Sequence, residues 1–186
     1  MDCALHKAGV TVVLDRSGIT GPDGASHHGM WDMAIAGVIP GLHLAAPRDG
    51  QQVPIAVRAA VEIADAPSVV RFPKGSVGAA IPAVRRVGTV EVVAEPDDKA
   101  DIDLLVVAVG SMVSTSLVVA EKLAAQGHRV RVADPVWALP VSDDIVNLAR
   151  SARLVFSLRL CRRTQCDRLP RGRASAPAGG RPVAWG

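Results

Sequence analysis

The chain has no tyrosine, and only 3% of its 186 residues are aromatic. Its core therefore cannot rest on stacked rings and must come from Val, Ala, Leu and Ile, within an apolar share of 49%. Cysteine is nearly as scarce. Cys3, Cys161 and Cys166 are odd in number and irregular in spacing, and no second Cys/His pair accompanies them. That excludes a disulfide framework and gives no zinc-ligand pattern, so the thiols read as reduced. No apolar run reaches the roughly 18 residues of a membrane-spanning helix. The start, Met1-Asp2-Cys3-Ala4-Leu5-His6-Lys7, lacks the basic opening and apolar stretch of a secretion signal. The expectation is a cytoplasmic protein with no membrane partner.

Acidic residues are missing from one end. Residues 159–186 hold seven Arg, no Lys and a single acid, Asp167, while residues 1–158 carry a net charge of −3. The overall charge of +3 therefore comes from the tail. A basic tail can serve as a nucleic-acid or membrane-surface arm. This one shows no apolar periodicity and is built from Arg, Ala, Pro, Gly and Ser. It is expected to be a disordered tail with no nucleic-acid role, translated out of frame after Leu158.

What is present alternates. Residues 11–15, 42–46 and 68–72 are short apolar runs that read as buried strands. A helical stretch over 30–39 lies between the first two. Another helix runs from 50 to about 64, with Asp49 at its cap and Val53, Val57, Ala60, Val61 and Ala64 as its apolar stripe. Residues 76–90 are dotted with Gly and Pro and read as a connection, with the linker proper at 81–90. Beyond it, residues 103–110 form the strongest strand pattern. A helix over 111–126, stopped by Gly127, and a strand over 129–134 follow. A helix over 142–150 capped by Ser142 and a strand over 154–158 complete the series. The alternation predicts an α/β protein of two small units with mostly parallel sheets, residues 1–80 and 91–158.

The chemistry concentrates in residues 15–29, directly after the first strand, where α/β folds place ligands. The segment holds Asp15, Arg16, Asp23, His27, His28 and the glycines 18, 21, 24 and 29. Glycine at this density lets backbone approach a ligand closely. Arg16 can fork onto a phosphate, Asp23 can accept from a hydroxyl, and His27 can carry a proton at neutral pH. The alternative for the same residues is a solvated polar turn. Adjacent His27 and His28 point apart and have no carboxylate or thiol at ligand spacing, so no metal site is expected.

The pattern Asp15-Arg16-x-Gly18-Ile19-x-Gly21-x-Asp23-Gly24-x-Ser26-His27-x-Gly29 resembles a signature segment of the 1-deoxy-D-xylulose-5-phosphate synthase family of transketolase-like enzymes. Ile39-Pro40-Gly41, Ala46-Pro47-Arg48-Asp49, Val70-Arg71-Phe72-Pro73-Lys74-Gly75 and Val132-Ala133-Asp134-Pro135 keep the same register, so the likeness covers about residues 2–158. It implies a transketolase-type pyrimidine-binding domain, incomplete at its start, followed by a truncated transketolase C-terminal-like domain. The family joins pyruvate and glyceraldehyde 3-phosphate with loss of carbon dioxide, on the way to isoprenoid precursors, using thiamine diphosphate and magnesium. By the resemblance, Arg16 and Lys74 hold the acceptor's phosphate, with Lys74 where many members have Arg. Asp23 orients a substrate hydroxyl, His27 stands near the reacting carbon, and His28 replaces an Asn or Gln and receives no role.

The family's Gly-Asp-Gly…Asn motif for magnesium and diphosphate, and its cofactor-activating glutamate, have no counterpart in this sequence. The chain is therefore expected to be inactive alone. Either a homodimer or partner chain supplies the missing domain, or the chain is a non-catalytic remnant or binding protein. A third expectation is a β-type subunit of a 2-oxoacid dehydrogenase.

Overall fold

A computed structural model of the protein describes residues 1–97 and 101–159. Apart from Arg159, the tail expected to be disordered lies outside the described residues. Among the described residues no helix is long and apolar enough to cross a membrane.

A short helix α1 (Asp2–Leu5) leads into β1 (Thr11–Leu14), followed by α2 (Asp32–Ala36), β2 (His43–Ala45), α3 (Gln52–Val61) and β3 (Ser68–Arg71). β3 pairs in parallel with β1 on one side and β2 on the other. All four residues of β3 are buried, because side chains on both faces are covered. Leu44 and Val69 pack with Met33 and Ala36 of α2 on one face. Ala45 and Val70 meet Ala56 and Ala60 of α3 on the other. Each buried Leu or Val of this kind contributes about 1.5–3 kcal/mol.

The remaining elements are β4 (Arg85–Val87), β5 (Val90–Ala94), β6 (Ile102–Ala108), α4 (Met112–Ala124), β7 (Val130–Asp134), β8 (Trp137–Leu139), α5 (Asp143–Arg150) and β9 (Ala152–Leu158). Five of these strands form a second sheet in the order β4-β5-β7-β6-β9. β6 sends successive side chains to opposite faces of the sheet, and Leu105 to Ala108 are all buried because both faces are covered. Leu105 and Val107 face Ile145 and Leu148 of α5, while Val106 and Ala108 face Val113 and Ala120 of α4. Ser142 caps α5 as expected, accepting from the Ile145 backbone N–H at 3.4 Å. The left-handed Gly127 (φ 87°) follows α4.

Four of the seven strand pairings are parallel, and the three antiparallel ones come from strands the sequence reading missed. The stretch expected as linker, 81–90, contains β4, which turns at Gly88-Thr89 into β5. Gly88 takes φ 54°, the left-handed conformation that a two-residue hairpin asks of its first turn position. β8 leaves the second half and pairs antiparallel with β2, extending the first sheet. Val109, just after β6, also packs in the first sheet's core, with Ala138 and Leu139 against the same cluster, so the second half contributes to that core.

Two helices differ from expectation. The stretch 30–39 is helical only over Asp32–Ala36, since Pro40-Gly41 turns the chain toward β2. The expected stripe on α3 holds at Ala60, with Val57 half-buried beside it, and fails at its C-terminal end. The helix's buried residues are Ala56 and Ala60, Val61 is 67% exposed, and Ala64 lies beyond the helix end. Small alanines let the helix approach the sheet closely, so packing overrides the valine periodicity. Asp49 does cap its start, accepting from the backbone N–H groups of Gln51 and Gln52 at 3.0 Å.

Candidate functional site

Because β1 and β3 are parallel, both deliver their C-terminal ends to one edge of the sheet. Their extensions stay zipped. The Phe72 N–H donates to Leu14 O at 3.0 Å, and the Ser17 N–H donates to Phe72 O at 3.1 Å. Residues 15–17 and 72–74 therefore emerge side by side, and Arg16 and Lys74 with them.

The loop that follows is tied at its neck. Gly18 and Gly29 exchange backbone hydrogen bonds at 3.2 and 2.9 Å. Between them the chain makes two 3-10 turns, Gly21–Asp23 and Ala25–His27. Gly21 and Gly24, on either side of Asp23, both take positive φ (77° and 84°), a region that suits glycine. The loop exit is pinned from below. Arg71 Nε, at the end of β3, donates to Asp32 Oδ2 at 2.6 Å, and both side chains are nearly buried.

This geometry joins three of the four expected site residues. Lys74 Nζ donates to Asp23 Oδ2 at 2.6 Å across the mouth of the loop. The Lys74 hydrogen bond, with the nearby charge of Arg16 adding to it, holds the Asp23 carboxyl below the ordinary carboxylate range. Asp23 is thus an anion among two cations. His27 sits apart from this pairing. It is exposed, and its Nδ1 lies 3.1 Å from the hydroxyl of Ser26.

Sequence reasoning assigned nothing to four other polar side chains here. Ser17 Oγ and His28 Nε2 are buried with no hydrogen-bond partner, an arrangement that is uncommon and marks a place for a water or ligand group. Arg71 was quoted only as a matching position, and Asp32 is its nearly buried partner. Their signal lay in the charge of Arg71 within an otherwise apolar strand, which requires a buried anion.

Thiamine diphosphate with magnesium needs a donor set for the metal and its phosphates. Among the described residues no group of three or more His, Cys, Asp or Glu gathers as metal ligands do, and the ligands of that metal are not assigned to residues of this chain.

Comparison with known proteins agrees with the layout. Residues 1–79 match the transketolase pyrimidine binding domain, and residues 93–159 match the transketolase C-terminal domain. A 1-deoxy-D-xylulose-5-phosphate synthase from Mycolicibacterium vanbaalenii is 52% identical over 158 residues, covering 85% of this chain and 25% of its own length. One from Pseudarthrobacter chlorophenolicus is 56% identical over 160 residues, covering 85% and 24%. The chain thus spans about a quarter of the length of these relatives. Among solved structures, a split-gene transketolase described as an inactive β4 tetramer is 27% identical, with a TM-score of 0.65 over 80% of this chain and 47% of that one. A transketolase mutant from Pichia stipitis shares the fold, with a TM-score of 0.70 at 19% identity over 86% of this chain and 24% of its own. The chain belongs to the transketolase family, carrying its pyrimidine binding and C-terminal domains in a sequence similar to the 1-deoxy-D-xylulose-5-phosphate synthases.

Proposed function

We propose that this chain is the acceptor-binding part of a 1-deoxy-D-xylulose-5-phosphate synthase, which joins pyruvate to glyceraldehyde 3-phosphate with release of carbon dioxide, and that it does not turn over alone. The observation that carries this reading is the convergence of Arg16, Asp23 and Lys74 at one sheet edge. Arg16 and Lys74 hold the phosphate of the triose. Asp23 accepts a hydrogen bond from its hydroxyl. His27, on the same loop, donates to the oxygen of the reacting carbonyl and carries its proton. Thiamine diphosphate supplies the carbanion chemistry when bound.

A partner chain, or a domain outside this sequence, supplies the ligands for magnesium and diphosphate. Support comes from the relatives, of whose length this chain covers about a quarter, and from the split-gene transketolase, whose β chains form a tetramer described as inactive.

The test is an assay of the purified chain with pyruvate, glyceraldehyde 3-phosphate, thiamine diphosphate and magnesium. The expected result is no turnover above a buffer blank. Steady product formation that disappears in Asp23→Ala would show that the chain needs no partner. Binding of glyceraldehyde 3-phosphate should be no tighter than about millimolar, the reach of two partly exposed charge-assisted contacts after ordering costs. Arg16→Ala should weaken it, and an unchanged affinity would remove Arg16 from the site.

A further inference from the structure

The anion site of the preceding reading is not open in this structure. Lys74 Nζ already holds Asp23 Oδ2 at 2.6 Å, and Arg16 adds its charge to the same carboxylate. A phosphate drawn to the two cations meets a carboxylate in place. Two anions cannot share that position without strong repulsion.

We propose that Asp23 is an internal stand-in for the ligand's phosphate, and that binding is a partner exchange: the phosphate displaces Asp23 from Lys74, and the freed carboxylate turns to the ligand's hydroxyl. The inference rests on the acceptor-site reading and adds an order of events to it. Three features of the loop suit such an exchange. The pair is partly exposed, with side-chain accessibilities of 37% for Lys74 and 28% for Asp23, so water screens it and it can be broken at little cost. Asp23 lies between Gly21 and Gly24, residues that tolerate large changes of backbone angle. A Cβ at either glycine would meet nothing within 4 Å, so the segment has open space around it. By contrast, the neck at Gly18 and Gly29 and the Arg71–Asp32 pair fix the loop at its base. The exchange would thus be confined to the residues that carry Asp23. A lysine suits this role better than an arginine, because a compact point charge has no fixed fork to be broken.

The exchange makes Asp23 oppose the binding of a bare phosphate, although it assists a ligand that also bears a hydroxyl. The probe is therefore inorganic phosphate, titrated into the full chain at constant ionic strength and followed by NMR. Asp23→Asn should tighten phosphate binding about two- to fivefold, the strength of a partly exposed ion pair. In wild type, phosphate should move the Asp23 side-chain carboxyl signal as well as the Lys74 ammonium signal. In the Lys74→Gln background, Asp23→Asn should bring less tightening, since the contact to be released is gone. Amide spectra of each variant establish that the fold is kept, and Asp23→Ser provides a second neutral side chain. Loss of phosphate affinity in Arg16→Ala and Lys74→Gln, together with unchanged or weakened affinity in Asp23→Asn, would overturn the exchange and leave the anion site standing. Phosphate affinity indifferent to Arg16 and Lys74 would instead overturn the acceptor-site reading and the exchange with it.

Discussion

Arg48 follows β2 in the first half of the chain, yet its Nη1 donates to Asp134 Oδ2 at 2.9 Å, at the end of β7 in the second sheet. The same nitrogen reaches Glu91 Oε2 on β5 at 2.6 Å, and Nε donates to the Ile81 carbonyl at 2.9 Å. One buried guanidinium thus ties the loop after β2 to two strands of the other sheet and to the connection between the halves. Removing it would leave Asp134 without its counter-charge in the interior and Glu91 with Arg86 alone. Arg48→Met should cost about 3–5 kcal/mol, the usual penalty for orphaning a buried partner. Urea unfolding monitored by Trp fluorescence measures it, and a loss below about 1 kcal/mol would show that the linkage is not buried in solution.

Asp134 gives the same cluster a pH dependence. Burial raises its pKa from 3.8 to about 6, while the Val136 N–H and Arg48 pull the other way and only partly offset it. The native state therefore keeps this proton between about pH 4 and 6 after the unfolded chain has lost it. More protons bound to the native state means that stability from this group falls as pH rises through that window. Glu91 has the opposite sign, because its pKa is lowered by Arg86 and Arg48 against its own burial. Comparing wild type with Asp134→Asn isolates the first effect. Wild type should lose stability relative to the variant from pH 4 to 6 and run parallel to it above. A constant difference across the range would mean that Asp134 titrates normally.

The Arg71–Asp32 pair governs order in the candidate site. Arg71 Nε donates to Asp32 Oδ2, and Asp32 Oδ1 accepts from the Met33 N–H at 2.9 Å. Asp32→Ala should loosen the loop exit, so that the Gly18 and Gly29 amides, bonded across the neck, exchange faster with solvent. About tenfold faster exchange corresponds to about 1.4 kcal/mol of lost local stability. Amides in β6 and β7 should keep their wild-type rates relative to global unfolding. If the neck amides also keep theirs, the pair does not hold the loop.

These relationships show what could be read from the sequence. β3 and β6 were legible because strands buried on both faces carry continuous apolar runs, Val69-Val70 and Leu104 to Val109. The hairpin of β4 and β5 was hidden by its charges. Arg85, Arg86 and Glu91 look like a solvated connection, but Glu91 is buried against Arg48 and Arg86. β8 has three half-buried residues and exists through its pairing with β2, which no local pattern announces. In the site, the Gly-rich loop stood out by composition and by its likeness to a known segment. The contact between Asp23 and Lys74 spans 51 residues of sequence. It follows only once β1 and β3 are known to be parallel neighbours. The burial of Arg71 against Asp32 likewise depends on α2 returning over the sheet.

Gly9 offers a test of how β1 is seated at the edge of the first sheet. It does not need a left-handed backbone. Its constraint is space, since a Cβ would lie 2.6 Å from the Ile63 carbonyl oxygen and 2.8 Å from that of Ala64. Both contacts are with backbone, which cannot swing aside as a side chain can. The next residue, Val10, accepts from the Ser68 N–H at 2.9 Å through its carbonyl, at the point where β1 joins β3. Gly9→Ala must therefore push apart the start of β1 and the segment after α3, at a cost of about 1–3 kcal/mol as in other overpacked sites. Displacement there would travel along β1 to Asp15 and Arg16 and weaken phosphate binding as well as stability. Gly78 is the control, because a Cβ there meets nothing within 4 Å. Gly78→Ala should be neutral or stabilising by up to about 1 kcal/mol, through reduced freedom of the unfolded chain. Denaturation midpoints of the two variants measure the contrast. Equal midpoints would show that the close approach at Gly9 relaxes without cost, and that β1 is not held by it.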